Sequence, residues 1–472
     1  MLTTDDLPDD VLLAIFDFCV FKNQDPVFFD LYIDDTKRKI ESWQSLVHVC
    51  RRWRGLVFGS PRRLDLQLYC TTRTPAGKIL DVWPALPLLI MGGVYEGKAD
   101  NVIAELKLSD RIYQIQLELN RYTTQIEELW TAMQVPFPEL AVLSLSFGDM
   151  SHGPALPDLF LGGSASRLRY LALSSISFPG LPKLLLSCAH LVYLCLLLIP
   201  LSGYFSPEAM ATCLPMLTSL ETLRLEFDYS QPPFVQESRL PPPPTRSVLP
   251  ALTRFWFTGV TKYLEGLVSR IDAPRLFRMS TTFADVVDFD TPELNQFIRR
   301  TPRFKAYHEA RLIFHRGEAL VRLQSHPYLG VGTGPRDHGM VEVKILCQVP
   351  DRQFSFLAHI CTLSLRLLLT MEHLYIYEHP FQPPGWRGAI ELDLLLPFTA
   401  VKNLYLSKKF TRRIAPSLQE LAEERTTEVL PALQNILLEK FRPFDPVEEG
   451  IAHFISARQL TNHPVAISLW DR

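Results

Sequence analysis

From residue 112 onward, apolar residues return in one short theme: apolar, two of any kind, apolar, one of any kind, apolar. The theme starts at Ile112, Leu140, Leu168, Leu191, Leu220, Leu252, Leu276, Met340, Met371, Val401 and Leu433, and a degenerate copy at Glu309 keeps Leu312 and Phe314. Successive starts lie 23 to 33 residues apart. The last two apolar positions are separated by a single residue, the spacing of a strand that buries one face. Each copy therefore predicts a short strand, and the rest of each unit has room for one helix and two loops. Ser417 to Val429 fits such a helix, with Leu418, Leu421, Ala422 and Val429 on one face and Glu420, Glu423, Glu424 and Glu428 elsewhere.

A strand and a helix recurring about every thirty residues predict an α/β chain built as an irregular leucine-rich-repeat-like solenoid with a mainly parallel sheet. Leu143/Leu145, Leu171/Leu173, Leu194/Leu196, Leu223/Leu225 and Leu404/Leu406 are expected to point into one continuous core. The position where regular leucine-rich repeats carry Asn holds Gly148, Ile176 and Ile199 in successive units, so a regular horseshoe is not expected. An unrelated α/β domain is the alternative.

Upstream of the theme the period changes. Val11, Leu12, Ile15, Phe16 and Cys19 recur at helical spacing after Leu7-Pro8, with Asp9 and Asp10 in the first turn, where the helix dipole favours negative charge. Leu46, Val49, Cys50, Trp53, Leu56 and Val57 mark one face of a second helix that stops at Gly59-Ser60-Pro61. Arg63 to Tyr69 alternates as a strand does, and Leu86 to Ile90 is a short apolar run closed by Gly92-Gly93. Tyr229 to Pro250, with four prolines at 241 to 244, predicts an exposed polyproline loop; a ligand for an SH3- or WW-type domain is the alternative. Ile451, Phe454 and Ile455 predict a helix and Val465 to Trp470 a last strand, together a closing cap.

Composition narrows the function. With 47% hydrophobic and 21% charged residues the chain has ample core, and 472 residues allow one small domain beside a long array. A net charge of −3 argues against bulk nucleic-acid binding, which needs a surplus of Lys and Arg. The acidic start MLTTDDLPDD is unlike a secretory signal, and the longest apolar run, Leu191 to Leu201, falls well short of the roughly 20 residues a membrane span needs. The eight cysteines are scattered without a C-x-x-C pair, which predicts reduced thiols in a cytoplasmic or nuclear protein. Gly330-Val-Gly-Thr-Gly334 lacks both a dinucleotide fingerprint and a P-loop lysine and reads as a turn. His308 with His315, and His373 with His379 and Glu378, match no metal spacing, and no nucleophile elbow is present. No cofactor, metal or catalytic group is expected.

The string Leu7-Pro-Asp-Asp-Val-Leu-Leu-Ala-Ile-Phe16 followed by Ser45-Leu-Val-His-Val-Cys-Arg-Arg-Trp-Arg54 resembles the F-box over residues 7–61 of the 472, and an N-terminal F-box ahead of irregular leucine-rich-repeat-like units is similar to fungal-type F-box substrate receptors. The linker between Cys19 and Ser45 is longer than in most F-boxes, and Phe28, Phe29, Leu31, Tyr32 and Ile33 look like an added packed segment. The resemblance implies an F-box at residues 1–61 with an insertion near 20–44, an irregular repeat region at 62–445 and a cap at 446–472. It further implies docking on a Skp-type adaptor, and through it a cullin, by Leu7, Pro8, Val11, Leu12, Ile15, Phe16, Leu46, Val49, Cys50 and Trp53. The repeats would then hold an unknown protein substrate for ubiquitination. A repeat scaffold that binds the adaptor without forming an active ligase is the alternative.

If the apolar positions of each strand point inward, the residues between and beside them share the opposite face, expected to be concave. Read in order these are Arg224, Arg254, Trp256, Arg278 and Arg311, then His373, Tyr375, Tyr377 and Tyr405. Arginines followed by aromatics are expected to hold an acidic or phosphorylated target segment and anchor an apolar side chain. The Pro241 to Pro244 loop is the next candidate.

Overall fold

A computed structural model of the chain describes residues 7–19, 42–61, 63–64, 66–71, 86–94, 99–120, 125–148, 154–228, 245–284, 291–324, 339–347, 349–364, 366–378, 392–424, 428–439 and 449–470. The Phe28 to Ile33 segment, the four prolines at 241–244, the glycines at 330–334 and His379 lie outside the described residues. The chain is α/β with a large, mostly parallel sheet. It divides into two compact units, Met1–Phe205 with Thr212–Leu220, and Ser206–Ala211 with Glu221–Arg472.

In the first unit, helices α1 (Asp9–Cys19), α2 (Ser42–Val47) and α3 (Arg51–Gly59) precede six strands. These are β1 (Leu68–Thr71), β2 (Leu88–Val94), β3 (Ile112–Leu119), β4 (Val142–Phe147), β5 (Tyr170–Ser174) and β6 (Tyr193–Ile199), and each lies parallel beside the next. Helices α4 (Ala99–Leu106), α5 (Ile126–Ala132) and α6 (Leu181–Leu185) fill the crossovers.

Three expectations for this unit are corrected. Leu46 to Val57 is two helices: Cys50 is fully extended (φ −155°, ψ 171°) and its thiol accepts from the Trp53 N–H, starting α3 afresh. The strand expected over Arg63 to Tyr69 begins only at Leu68. Before it, Leu64 N–H bonds back to Ser60 C=O and Leu66 N–H to Pro61 C=O, so the alternating leucines are buried from a turn. The run from Leu86 does not close at Gly92-Gly93; β2 carries both glycines as far as Val94, because β3 supplies ladder partners for each.

The second unit holds β7 (Thr222–Phe227), β9 (Arg254–Gly259), β11 (Arg278–Phe283), β12 (Glu309–His315), β13 (Glu318–Gln324), β14 (Met340–Leu346), β15 (His373–Glu378), β16 (Asn403–Leu406), β17 (Asn435–Glu439) and β18 (Ala466–Trp470). A small pair, β8 (Ser247–Val248) and β10 (Ile271–Asp272), stands apart from them. The unit's helices include α7 (Thr261–Val268), α8 (Pro292–Arg300), α9 (Pro350–His359), α10 (Lys408–Glu424) and α11 (Glu449–Leu460).

The sheet, mainly parallel as expected, departs from that pattern in the middle of this unit. Neighbours run β11-β14-β13-β12-β15, and β13, which no theme start foresaw, is antiparallel to both β12 and β14. The chain skips two places, turns back at Arg316-Gly317 and returns. Gly317 holds a left-handed φ of 84°, which a side chain would strain. The helix expected at Ser417 to Val429 is also longer on its N-terminal side, running from Lys408 through Pro416. Gly450 of α11 packs so close to it that a Cβ there would lie 2.2 Å from the Ala415 carbonyl oxygen.

One local device recurs at the theme starts. The N–H of Leu140, Leu168, Leu191, Leu220, Leu252, Leu276, Met371, Val401 and Leu433 bonds to the carbonyl three residues earlier, at 3.0 to 3.4 Å. Each of these side chains is buried, and each strand begins two residues later. The residue just before a strand then offers its carbonyl to two successive N–H groups of the next. Ala141 does so to Arg169 and Tyr170, Thr253 to Phe277 and Arg278, and Lys402 to Gln434 and Asn435. The ten leucines expected in the core, from Leu143/Leu145 to Leu404/Leu406, are all buried.

Candidate functional site

Two surfaces carry the residues singled out from the sequence. The first is α1. Its inward side, Leu12, Leu13 and Phe16, is buried, and the Phe16 ring lies 4.7 Å from that of Trp53. The Arg52 guanidinium donates to the Asp9 carboxylate and to the Leu7 carbonyl, both at 2.6 Å, and so ties the first turns of α3 and α1 together. Trp43, also buried, donates its indole N–H to the Gln67 carbonyl at 3.1 Å and anchors α2 to the approach of β1.

Of the residues expected to meet an adaptor, the structure therefore places Leu12, Phe16 and Leu46 in the core, makes Cys50 a helix cap and leaves Trp53 half-buried against Phe16. Val11 (39%), Ile15 (42%) and Val49 (58%) are exposed, as is Pro8, while Leu7 is half-buried. Phe18, passed over in the sequence, is 93% exposed. Pro8, Val11, Ile15 and Phe18 follow one another at three, four and three residues, a second apolar stripe turned away from the first. Extending the outward spacing beyond Ile15 would have found it.

The second surface is the face of the second unit opposite its core. Strand register sets Arg224 beside Trp256, Trp256 beside Ser280, Ser280 beside Glu342, Glu342 beside Arg322, Arg322 beside Arg311, Arg311 beside Tyr375 and Tyr375 beside Tyr405. Arg254 and Arg278 are Cα partners one step along their strands, as are His373 and Asn403. Tyr377 lies one step the other way, beside Ile313. All nine residues expected on the target face thus share it.

They are not equally free. Arg224 pairs with Glu226 at 3.1 Å and Arg311 with Glu309. Arg322, on β13, pairs with Glu342 through both Nε and an NH2 group at 2.8 and 2.6 Å. Desolvation works against the charge on Arg311, but the Glu309 carboxylate more than offsets it and raises the guanidinium pKa. Arg278 lies over Trp256, 5.9 Å from the ring centre, and among the described residues neither Arg254 nor Arg278 has an ion-pair partner.

At the other end the rings form a stack. Arg311 lies 5.0 Å over Tyr375, and Tyr375 is parallel to Tyr405 at 4.0 Å. Trp470, from the last strand, meets both tyrosines edge-on at 5.8 and 5.5 Å and points its indole N–H at the Leu406 carbonyl, 3.5 Å away. Burial, then the Glu309 charge, raises the Tyr375 pKa, so its hydroxyl keeps its proton. Beside the stack Asn435 donates to Asn403 at 2.8 Å, and Asn403 lies 3.4 Å from His373 Nδ1.

Among the described residues no three His, Cys, Asp or Glu side chains come together as a metal site, and no helix is long and apolar enough to cross a membrane. No family model matches the chain, and no curated protein matches it either.

Proposed function

We propose that residues 7–61 are an F-box-type docking module and that the strands beyond form an irregular leucine-rich-repeat-like solenoid. The chain would then be the substrate-recognition subunit of a cullin-RING ubiquitin ligase. The observation that carries this reading is the outward stripe Pro8, Val11, Ile15 and Phe18. A short helix with apolar residues on both sides buries one side in its own module and leaves the other for a partner's groove. The recurrent turn before nine of the strands supports the repeat reading, since one backbone device reappears at the spacing of the theme. In this reading the chain performs no bond chemistry. It acts by position, holding target lysines near a conjugating enzyme and raising their effective concentration.

Co-purification tests it. The full chain is expected to capture a Skp-type adaptor and, through it, a cullin. Ile15→Asp with Phe18→Asp, both at exposed positions, is expected to lower adaptor capture more than tenfold without changing the melting temperature. Undiminished capture by that folded variant would remove the docking assignment, and adaptor without cullin would favour a scaffold over a receptor.

A further inference from the structure

The open face of the second unit has two places whose side chains are not held in ion pairs among the described residues, and we infer that together they take an extended acidic segment with one large apolar residue about six positions from its carboxylates. The inference rests on the reading of this face as the target surface. At the first place Arg254 and Arg278 stand on neighbouring strands beside Trp256, without ion-pair partners among the described residues. At the second, Tyr375, Tyr405 and Trp470 make an aromatic corner. Between them the charges cancel: Glu342 answers Arg322 and Glu309 answers Arg311.

Charge complementarity therefore puts the anion at the first place alone. An acidic side chain fits it better than a phosphate. Phosphate sites surround the group with backbone N–H donors as well as cations, whereas on a sheet those N–H groups are engaged in the strand ladder. Two guanidinium forks one strand apart instead suit two carboxylates along a crossing chain. The spacing follows from the topology. From β11 to β15 is four steps, through β14, β13 and β12. At about 4.8 Å a step that is roughly 19 Å, which an extended chain covers in about six residues.

The test uses the purified full chain and fluorescein-labelled peptides on a Gly-Ser background. Each carries an Asp-Asp pair and one Phe placed three, six or nine residues on. Anisotropy titration is expected to give the tightest binding at six. Arg254→Gln with Arg278→Gln is expected to weaken it at least tenfold, and Trp470→Ala about fivefold. Equal binding at all spacings, no binding, or indifference to the double arginine variant would overturn the inference. So would tenfold tighter binding when phosphoserine replaces the Asp pair. Because no adaptor is present, a chain that captures adaptor but no peptide fails this inference alone, and one that binds peptide but no adaptor fails the docking reading alone.

Discussion

On the open side of the first unit, strands β4 and β5 carry Ser144, Ser146, Ala172 and Ser174; at matching places in the second unit stand Arg311, Tyr375 and Tyr405. The cores beneath are alternating apolar residues buried in both, Leu143/Leu145 and Leu171/Leu173 in the first and Leu312/Phe314, Leu374/Ile376 and Leu404/Leu406 in the second. The units also bury carboxylates differently. In the second, Glu309, Glu342 and Glu378 are buried against Arg311, Arg322 and Arg413. In the first, Glu105 of α4 is fully buried, and neither of its oxygens has a hydrogen-bond partner among the described residues. Desolvation pushes its pKa up to about 8. One strand-turn-helix frame thus tolerates a buried acid in two ways, by pairing it or by keeping it protonated, and only the first leaves the acid useful at neutral pH.

The contrast can be broken at four places. The largest effect is expected at the Arg413–Glu378 pair, 2.7 Å apart and almost wholly buried. Arg413→Met strands the carboxylate and is expected to cost about 3 to 5 kcal/mol in denaturant unfolding, much of it recovered when Glu378→Met is added. Glu105→Met should do the opposite. The folded-state pKa lies above the unfolded value, so the native state favours the proton: stability is unaffected below about pH 4.5, falls as pH rises, and is lowest above pH 8. The substitution is therefore expected to add about 2 to 4 kcal/mol at pH 8 and to lose its ionisation-linked advantage at pH 4. Melting curves of both chains at the two pH values decide it. Tyr375→Ala, which opens the stack beside Tyr405, should cost about 1 to 2 kcal/mol. Ser144→Ala on the first unit's open side should stay within about 0.5 kcal/mol, and a larger loss there would mean that its blandness hides a partner.

Much of this frame was legible because burial imposes a period. Leu140, Leu168 and Leu433 begin their themes two residues ahead of a strand, since each first closes the turn that launches it. Strand order was not legible. The copies at Glu309 and Met340 say which side chains are buried, but nothing in them says that β14 takes the place beside β11. β13 escaped because Leu320, Val321 and Leu323 belong to a reversed strand outside the theme. The spacing in the sequence put the singled-out residues on one face, but it did not show how their charges are balanced. Glu309 and Glu342 belong to the same face as the arginines, and only the side-chain geometry shows that they neutralise two of its cations. On α1, the stretch Leu12 to Phe18 is apolar enough for either side to pass as the inner one, and Phe18 was lost in that ambiguity.

The reversed strand has a kinetic consequence. In parallel pairs such as β9 with β11, partners such as Arg254 and Arg278 are brought together only after a crossover of many residues. β12 and β13 meet across Arg316-Gly317 alone, with Ile313 opposite Leu320 and Leu312 opposite Val321. Closing so short a loop costs little entropy and takes about 1 to 10 μs, long before distant pairings can form. This hairpin is placed to nucleate the second unit, leaving β14 and β15 to condense on its two edges. Pulse-labelled hydrogen exchange during refolding should find the amides of Leu312 to Val321 protected first. Protection appearing first in β16 and β17 would assign the nucleus to the C-terminal strands instead.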